Sequence, residues 1–395
     1  MDSRAWKALV WIGLSELLAL SLWFSASVIS PQLIHQWNLD KSLEGWLSSA
    51  VPLGFVIGAL VSSLFGMADR FNPRGIFALA ALCGALLNSL LIFTDHAFWG
   101  ILLRILTGIS LAGVYPIAVK MISLWFPKRR GLAMGILVAA LTLGSALPHF
   151  VKVFFVSVNW QSVIIVTSLL AILASIIIYY IVEDAPQEEK NTPFSFKLIR
   201  KVVKNKAAML INYGYFGHNW ELYGMWTWLP TFLVASFETS LPHVSEWYIA
   251  LSSFSVIGIA GGIGCIVGGL LSDKIGRANL TILSMVVSSL CCILIGFTFG
   301  YSIWLTLTIA FIWGASIISD SAQFSAAVSE ETDREYVGTA LTFQMCIGFL
   351  ITIFSINLVP IVQTLIGWEW VFLILAIGPI LGTFAMIQYK RSQVN

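Results

Sequence analysis

The sequence predicts an all-α integral membrane protein, with twelve transmembrane helices in two pseudo-symmetric six-helix bundles. Three observations carry that prediction. First, 58% of the 395 residues are hydrophobic and only 11% are charged, and a mean hydropathy of +0.87 excludes a water-soluble fold. Second, the apolar residues come in runs of about 20, enough to cross a ~30 Å hydrocarbon layer as helices. Helices satisfy their own backbone hydrogen bonds in that layer. Third, one charged turn is written twice. Phe65-Gly66-Met-Ala-Asp69-Arg70-Phe-Asn72-Pro73-Arg74 and Gly269-Leu-Leu-Ser-Asp273-Lys274-Ile-Gly276-Arg277 each close an apolar run. Asp69 and Asp273 lie 204 residues apart, about half the chain.

In chain order the spans fall near 6–30, 44–67, 74–94, 97–122, 131–152 and 161–182. The second set falls near 207–236, 247–271, 279–300, 303–327, 336–363 and 370–389. They make an N-terminal bundle over 1–182 and a C-terminal bundle over 207–395. Between them, 183–206 is the one long polar break, a cytoplasmic linker. In its second part Phe194, Phe196, Leu198, Ile199 and Val203 sit among basic residues, a pattern that can lie on the membrane as an amphipathic helix. The first apolar run continues too far for a cleavable signal and reads as a span. Basic residues set the orientation. Arg4, Lys7, Arg70, Arg74, Lys128 to Arg130, the cluster from Lys190 to Lys206, Lys274, Arg277, Arg334, Lys390 and Arg391 fall on one side, against Lys41 and Lys152 on the other. Both termini are therefore expected in the cytoplasm, in a multi-pass protein of the inner membrane.

Further echoes support a duplication. Arg130-Gly131-Leu-Ala133 matches Val337-Gly338-Thr-Ala340 at an offset of 207, and Trp160 and Trp368, each opening the last span of its half, are 208 apart. Gly54, Gly58, Ser62 and Gly66 recur every fourth residue in the second span, as Ala260, Gly264, Gly268 and Ser272 do in the eighth. Small residues at that spacing cut a groove along one helix face. The groove serves either ordinary helix packing or a surface on which the halves slide. The net charge of +2 and the absence of a basic patch outside short loops exclude nucleic acid as a partner. The five cysteines all fall within spans, without zinc spacing, and read as packing residues. No metal and no cofactor is expected.

Charge at membrane depth costs about 2.5–3.5 kcal/mol per residue on insertion scales, so each ionisable residue there needs a partner or a task. Glu16 lies about ten residues into the first span, roughly 15 Å deep. With no basic residue at i±4, its partner must come from another helix, and Arg104 in the fourth span is the natural candidate. A carboxylate can switch its charge where an arginine cannot, so the pair either couples to protons or statically fixes two helices. Displaced by the half-length offset, Glu16 lands on Trp220, beside Glu221. His218 and Glu221 share a helix face at i and i+3 and could exchange a proton; the alternative is a histidine satisfied among aromatics. Ser316, Asp320 and Gln323 form a polar stripe in the tenth span. That stripe faces a cavity, with Asp320 as substrate or cation contact, or closes an internal network. Trp23, Phe24, Tyr215, Trp220, Tyr223 and Trp226, with Asp320 and Gln323, are the expected lining of a substrate cavity.

The doubled turn resembles the Gly-x-x-x-Asp-Arg/Lys-x-Gly-Arg-Arg/Lys loop of the major facilitator superfamily, found after the second helix of each half. The second copy keeps Gly269, Asp273, Lys274, Gly276 and Arg277, with Ala278 at the last basic position. The first has Phe65 at the Gly position and Asn72 at the turn Gly, where Asn tolerates left-handed backbone. Pro73 then precedes Arg74. The resemblance implies the major facilitator fold and alternating access around a midplane site. It implies a conformational latch made by Asp69, Arg70, Arg74, Asp273, Lys274 and Arg277, against the alternative of ordinary surface turns. Arg104-Ile-Leu-Thr-Gly108 is similar to the family's Arg-x-x-x-Gly motif, which implies proton coupling at Arg104; Glu16, Glu221 and His218 are the further coupling candidates that the residues themselves offer. Gly135, Gly144 and Pro148 match the drug/proton antiporter motif poorly, and the membrane arginines of nitrate carriers are absent. Trp125-Phe-Pro127-Lys-Arg-Arg130-Gly131 is similar to the equivalent loop of organic-anion symporters.

The expected function is therefore proton-coupled secondary transport of a small organic solute, by a carrier functional as a monomer in the bilayer. No Gly-x-x-x-x-Gly-Lys-Ser/Thr loop is present to use a nucleotide. Acids outnumber bases among the cavity candidates, which suits a cationic, zwitterionic or neutral solute, whereas the 125–131 loop points to an organic anion; the direction stays open between a proton/drug antiporter exporting organic cations and an organic-anion symporter. An enzyme would need a nucleophile–base pair or a metal cluster, and no His-x-x-x-His or comparable arrangement occurs. A non-transporting sensor is the remaining alternative, though no signalling domain accompanies it.

Overall fold

A computed structural model of the chain describes residues 3–37, 41–126, 130–155, 159–185, 195–241, 244–333 and 335–394. Of His35, Lys41, Ser42, Glu44, Ala68, Asp69, Arg130 and Val394 it describes the backbone alone. Every regular element among these residues is helical, and the chain forms two compact units, Met1–Phe194 and Ser195–Asn395. Among the described residues, ten helical stretches, from Gly45–Leu64 to Leu373–Gln393, are long and apolar enough to cross a membrane. The two expected spans outside that set are the most polar. The first begins with α1 (Ser3–Leu20), which carries Arg4, Lys7 and Glu16 within 18 residues. The seventh is α12 (Lys206–Ser240), which carries Asn212, His218, Asn219 and Glu221.

In the first unit, the expected unbroken span over 6–30 is interrupted. After α1 the chain makes a bend over Ser21–Phe24 and resumes as α2 (Ser25–Val28) and α3 (Ser30–Trp37). The second span is α4 (Lys41–Leu64), followed by the short α5 (Met67–Arg70) and by α6 (Pro73–Ser89). Asn72 starts α6 differently from the left-handed turn expected there. Its backbone is at φ −59°, and its side chain accepts from the Arg74 amide at 2.9 Å while Pro73 fills the first helical position. An N-cap acceptor and a proline without an N–H both suit the unsatisfied donors of a helix start. The fourth span is split into α7 (Ala97–Leu111) and α8 (Tyr115–Trp125), Pro116 sitting in the first turn of α8. The unit closes with α9 (Arg130–Phe154) and α10 (Gln161–Tyr180).

In the second unit, the short α11 (Phe196–Lys204) precedes α12, and Asn205 between them accepts from the Ala208 amide at 3.0 Å to cap the long helix. The eighth span is α13 (Glu246–Phe254), a π-helical turn over Ser255–Ala260, and α14 (Gly261–Ile275). Then follow α15 (Arg277–Leu294), α16 (Ile303–Ser319), α17 (Ser321–Glu331), α18 (Val337–Trp370, kinked at Gly367) and α19 (Leu373–Val394). The tenth span is thus divided at Asp320. Gly276 has φ +82° and ψ 153° at the turn between α14 and α15, a backbone state reserved for glycine.

The small-residue groove faces a neighbouring helix of its own unit in both halves. A Cβ on Gly54 would stand 1.9 Å from the Ile105 carbonyl oxygen, and one on Gly108 would stand 2.2 Å from that of Val51. The second unit repeats the crossing: Gly264 against Ala315 O at 2.0 Å and Gly314 against Val256 O at 2.1 Å. The second span therefore packs backbone to backbone on the fourth, and the eighth on the tenth.

Candidate functional site

Arg104 is fully buried, and it does not meet Glu16. Its Nη2 donates to the carbonyl oxygens of Leu22 (2.8 Å) and Trp23 (2.5 Å), in the bend after α1. Its Nη1 donates to Ser25 Oγ (3.1 Å) and Asn88 Oδ1 (3.0 Å). Asn88 in α6 also accepts from Ser25 Oγ at 2.7 Å and donates to Ser168 Oγ at 2.9 Å on α10. The physical reason for the difference from the expected pair is the interruption itself. Ending α1 at Leu20 leaves carbonyls that cannot find an amide further along, and a planar guanidinium with five donors serves several of them at once. A cation is also the favoured charge at a helix C-terminus.

Glu16 is left in a different situation. It is fully buried on α1, and neither carboxylate oxygen has a hydrogen-bond partner among the described residues. Close by in the sequence, Leu17 presents its carbonyl to Gly144 of α9, where a Cβ would stand at 2.3 Å.

The acids of the second unit are divided between two places. Asp320, at the division of the tenth span, has Oδ1 2.9 Å from His218 Nδ1 on α12, both side chains being 2% exposed. His218 stacks on Tyr215 (ring centroids 6.1 Å, 28° between planes) and meets Phe324 at 5.6 Å, and its Nε2 has no hydrogen-bond partner among the described residues. Glu221, one turn further along α12, does not pair with His218 by hydrogen bond. Its Oε1 accepts from Trp313 Nε1 (2.7 Å) and Cys292 Sγ (3.1 Å), and its Oε2 from Ser288 Oγ (2.9 Å). The i and i+3 spacing on α12 made Glu221 the expected partner of His218, and the break in the tenth span brings Asp320 to it instead.

Other expected lining residues are already engaged. Trp220 donates from Nε1 to the Ile374 carbonyl at 2.9 Å, packing α12 onto α19. Gln323 Oε1 accepts from Arg277 Nη1 at 2.7 Å, so the polar stripe turns away from Asp320 toward the end of its helix. Tyr223 meets Trp226 and Phe349 at 5.6 and 5.3 Å, and Trp23 of the first unit meets Phe55 at 5.3 Å.

Among the turn residues, Arg74 and Arg277 are engaged. Arg74 donates to the Val182 carbonyl (2.6 Å) and to Asp184 Oδ2 (2.5 Å), joining the start of α6 to the end of the sixth span. Arg277 binds Glu330 through Nε and Nη2 at 2.7–3.1 Å, joining the start of α15 to the end of α17. Arg70, Asp273 and Lys274 are exposed, and the Asp69 side chain lies outside the described residues.

Sequence reasoning missed Asn88, Ser25, Ser288, Cys292 and Trp313. Asn88, Ser25 and Ser288 are polar within apolar runs, and the cost argument applied to charged groups would have reached Asn88 had it been extended to amides; Cys292 and Trp313 count as apolar and carry no such signal.

The described helices thus form two units with matched backbone crossings and a few buried ionisable residues. The family description "Major Facilitator Superfamily" matches residues 12–356, and the chain belongs to that superfamily. It is 26% identical over 249 residues to the niacin transporter NiaP of Acinetobacter baylyi, covering 52% of this chain and 54% of the relative. It is 25% identical to a probable sulfoacetate transporter of Cupriavidus necator (63% of this chain, 60% of the relative). To a hexuronate transporter of Bacillus subtilis it is 23% identical, over 79% of this chain and 77% of the relative. The matches to the first two thus span between half and two thirds of those relatives' length. A crystal structure of the nucleoside transporter NupG is similar in fold, with a TM-score of 0.73 at 14% identity over 97% of this chain and 99% of that one. The family is one of transporters rather than enzymes.

Proposed function

We propose that the protein is a proton-coupled secondary carrier that moves a small organic acid across the cytoplasmic membrane by alternating access, with both termini in the cytoplasm. The observation that carries the coupling is Glu16, buried with neither oxygen hydrogen-bonded among the described residues. An ionised carboxylate without donor or cation is among the costliest groups to hold in a membrane. Taking up a proton removes that charge, and releasing it requires water or a partner to arrive, so proton occupancy is tied to which state the bundle adopts. The buried His218–Asp320 contact, 2.9 Å between Nδ1 and Oδ1, supports a second polar position in the other unit.

The organic-acid reading draws on the relatives. Niacin, sulfoacetate and hexuronate, named for three of them, each carry an acid group. Export of an organic cation by antiport is the second reading, favoured by a buried acid with no cation hydrogen-bonded to it. The testing experiment is flux in proteoliposomes. Inward proton gradients are expected to drive uptake of a labelled monocarboxylate such as nicotinate, and collapsing the gradient is expected to stop it. Proton-driven efflux of an organic cation would select the second reading. No flux of either under any gradient would remove both.

A further inference from the structure

We infer that α11 is an interfacial helix that binds the anionic phospholipid headgroups of the bilayer in which the protein sits. Wound at 3.6 residues per turn, α11 carries its apolar side chains on one half of its circumference, in the order Leu198, Val202, Ile199, Val203, Phe196. The cations fill the other half, in the order Arg200, Lys204, Lys197, Lys201. Part of the apolar half packs within the second unit. Val202 is fully buried in a cluster with Val328, Tyr336, Ala340 and Tyr389, and Leu198 packs against the same cluster. Val203 and Phe196, at the opposite edge, are 51% and 63% exposed.

The helix is also held where the bilayer surface must be. Its first flank is tied at Ser195, whose amide donates to Thr339 Oγ1 at the start of α18 (3.1 Å). Its far end is tied at Asn205, whose Nδ2 donates to the Glu331 carbonyl (2.7 Å) at the end of α17. So α11 lies across the ends of two membrane helices, one residue before a third begins. Lys201, on the protein side, bonds Glu335 at 2.7 Å, and that carboxylate holds its pKa above the ordinary lysine value. Arg200 and Lys204, exposed and bordering Phe196, stand at the edge that adjoins the exposed apolar strip. An apolar strip rimmed by cations matches an acyl surface rimmed by phosphates.

The test uses the full-length protein carrying Cys83→Ser and Val203→Cys, labelled with an environment-sensitive fluorophore and placed in nanodiscs. A label at 203 is expected to be quenched by nitroxide lipids bearing the spin near the headgroup and protected from aqueous iodide. The same label introduced by Lys197→Cys is expected to show the reverse. In nanodiscs mixing phosphatidylglycerol with phosphatidylcholine, enrichment of the anionic lipid is expected to fall by about fivefold per cation removed in Arg200→Gln/Lys204→Gln. Both residues are exposed, so the thermal midpoint of that variant is expected to stay unchanged. Iodide quenching at 203 would overturn the inference. So would a label reached by neither quencher, which would mean protein covers the strip, or a double variant that keeps its lipid preference.

Discussion

Three buried ionisable groups in this protein have three different occupations. Arg104 spends its two terminal nitrogens on the bend in the first span. Arg104→Leu would take this donor from the Trp23 carbonyl, at about 1–3 kcal/mol, while the Leu22 carbonyl keeps the Ser25 hydroxyl. A large fall in thermal midpoint is expected, and Arg104→Lys is expected to recover only part of it, because one ammonium cannot reproduce the planar fork. Glu221 is an acceptor fixed by Trp313, Ser288 and Cys292. Glu221→Leu strands the Trp313 N–H and is expected to destabilise by roughly 1–3 kcal/mol, more than Glu221→Gln, in a detergent melting series. Glu16 alone of the three has no such fixing bonds among the described residues. Glu16→Gln is expected to fold as the parent does and to carry solute at a rate that no longer follows pH. Unchanged pH-driven flux in that variant would assign coupling elsewhere, with His218→Gln as the next variant to measure.

Among the elements, the crossings of the second span on the fourth and of the eighth on the tenth are the tightest. Their contacts run from glycine to backbone carbonyl, so no side chain can move aside to accept a larger residue. Gly54→Leu and Gly264→Leu are each expected to abolish the monodisperse protein peak on size exclusion, since a Cβ alone would stand 1.9 or 2.0 Å from a carbonyl oxygen. Gly75 is the internal control. A Cβ there meets nothing within 4 Å, so Gly75→Ala is expected to be neutral or to stabilise by about 0.4–1 kcal/mol. These crossings also give the small-residue repeats a packing role inside each unit.

Considered whole, the protein is two units each carrying its own buried polar centre. In the first, Arg104, Asn88 and Ser25 gather around the bend after α1; in the second, His218 and Asp320 gather around the division of the tenth span. Both centres lie where a helix is interrupted, which is where backbone groups and polar side chains at membrane depth can serve each other. The orientation is open to direct measurement. Cysteines introduced at Arg70 and Lys274 are expected to react with an impermeant maleimide in inside-out vesicles and not in sealed cells, and the opposite pattern would invert the topology.

The amino-acid sequence by itself determined that the chain is a duplicated helical membrane protein, because the length of an apolar run and the cost of charge in hydrocarbon are local properties. It also determined which ionisable residues are candidates: Glu16, Arg104, His218, Glu221 and Asp320 are all buried in the structure. Only the tertiary structure decided who meets whom. Arg104 turns to carbonyls that every residue possesses, so no sequence pattern marks them, and His218 reaches an acid about a hundred residues away rather than the one beside it. Pairing depends on where helices break and how closely their backbones cross, and those are set by contacts between distant segments.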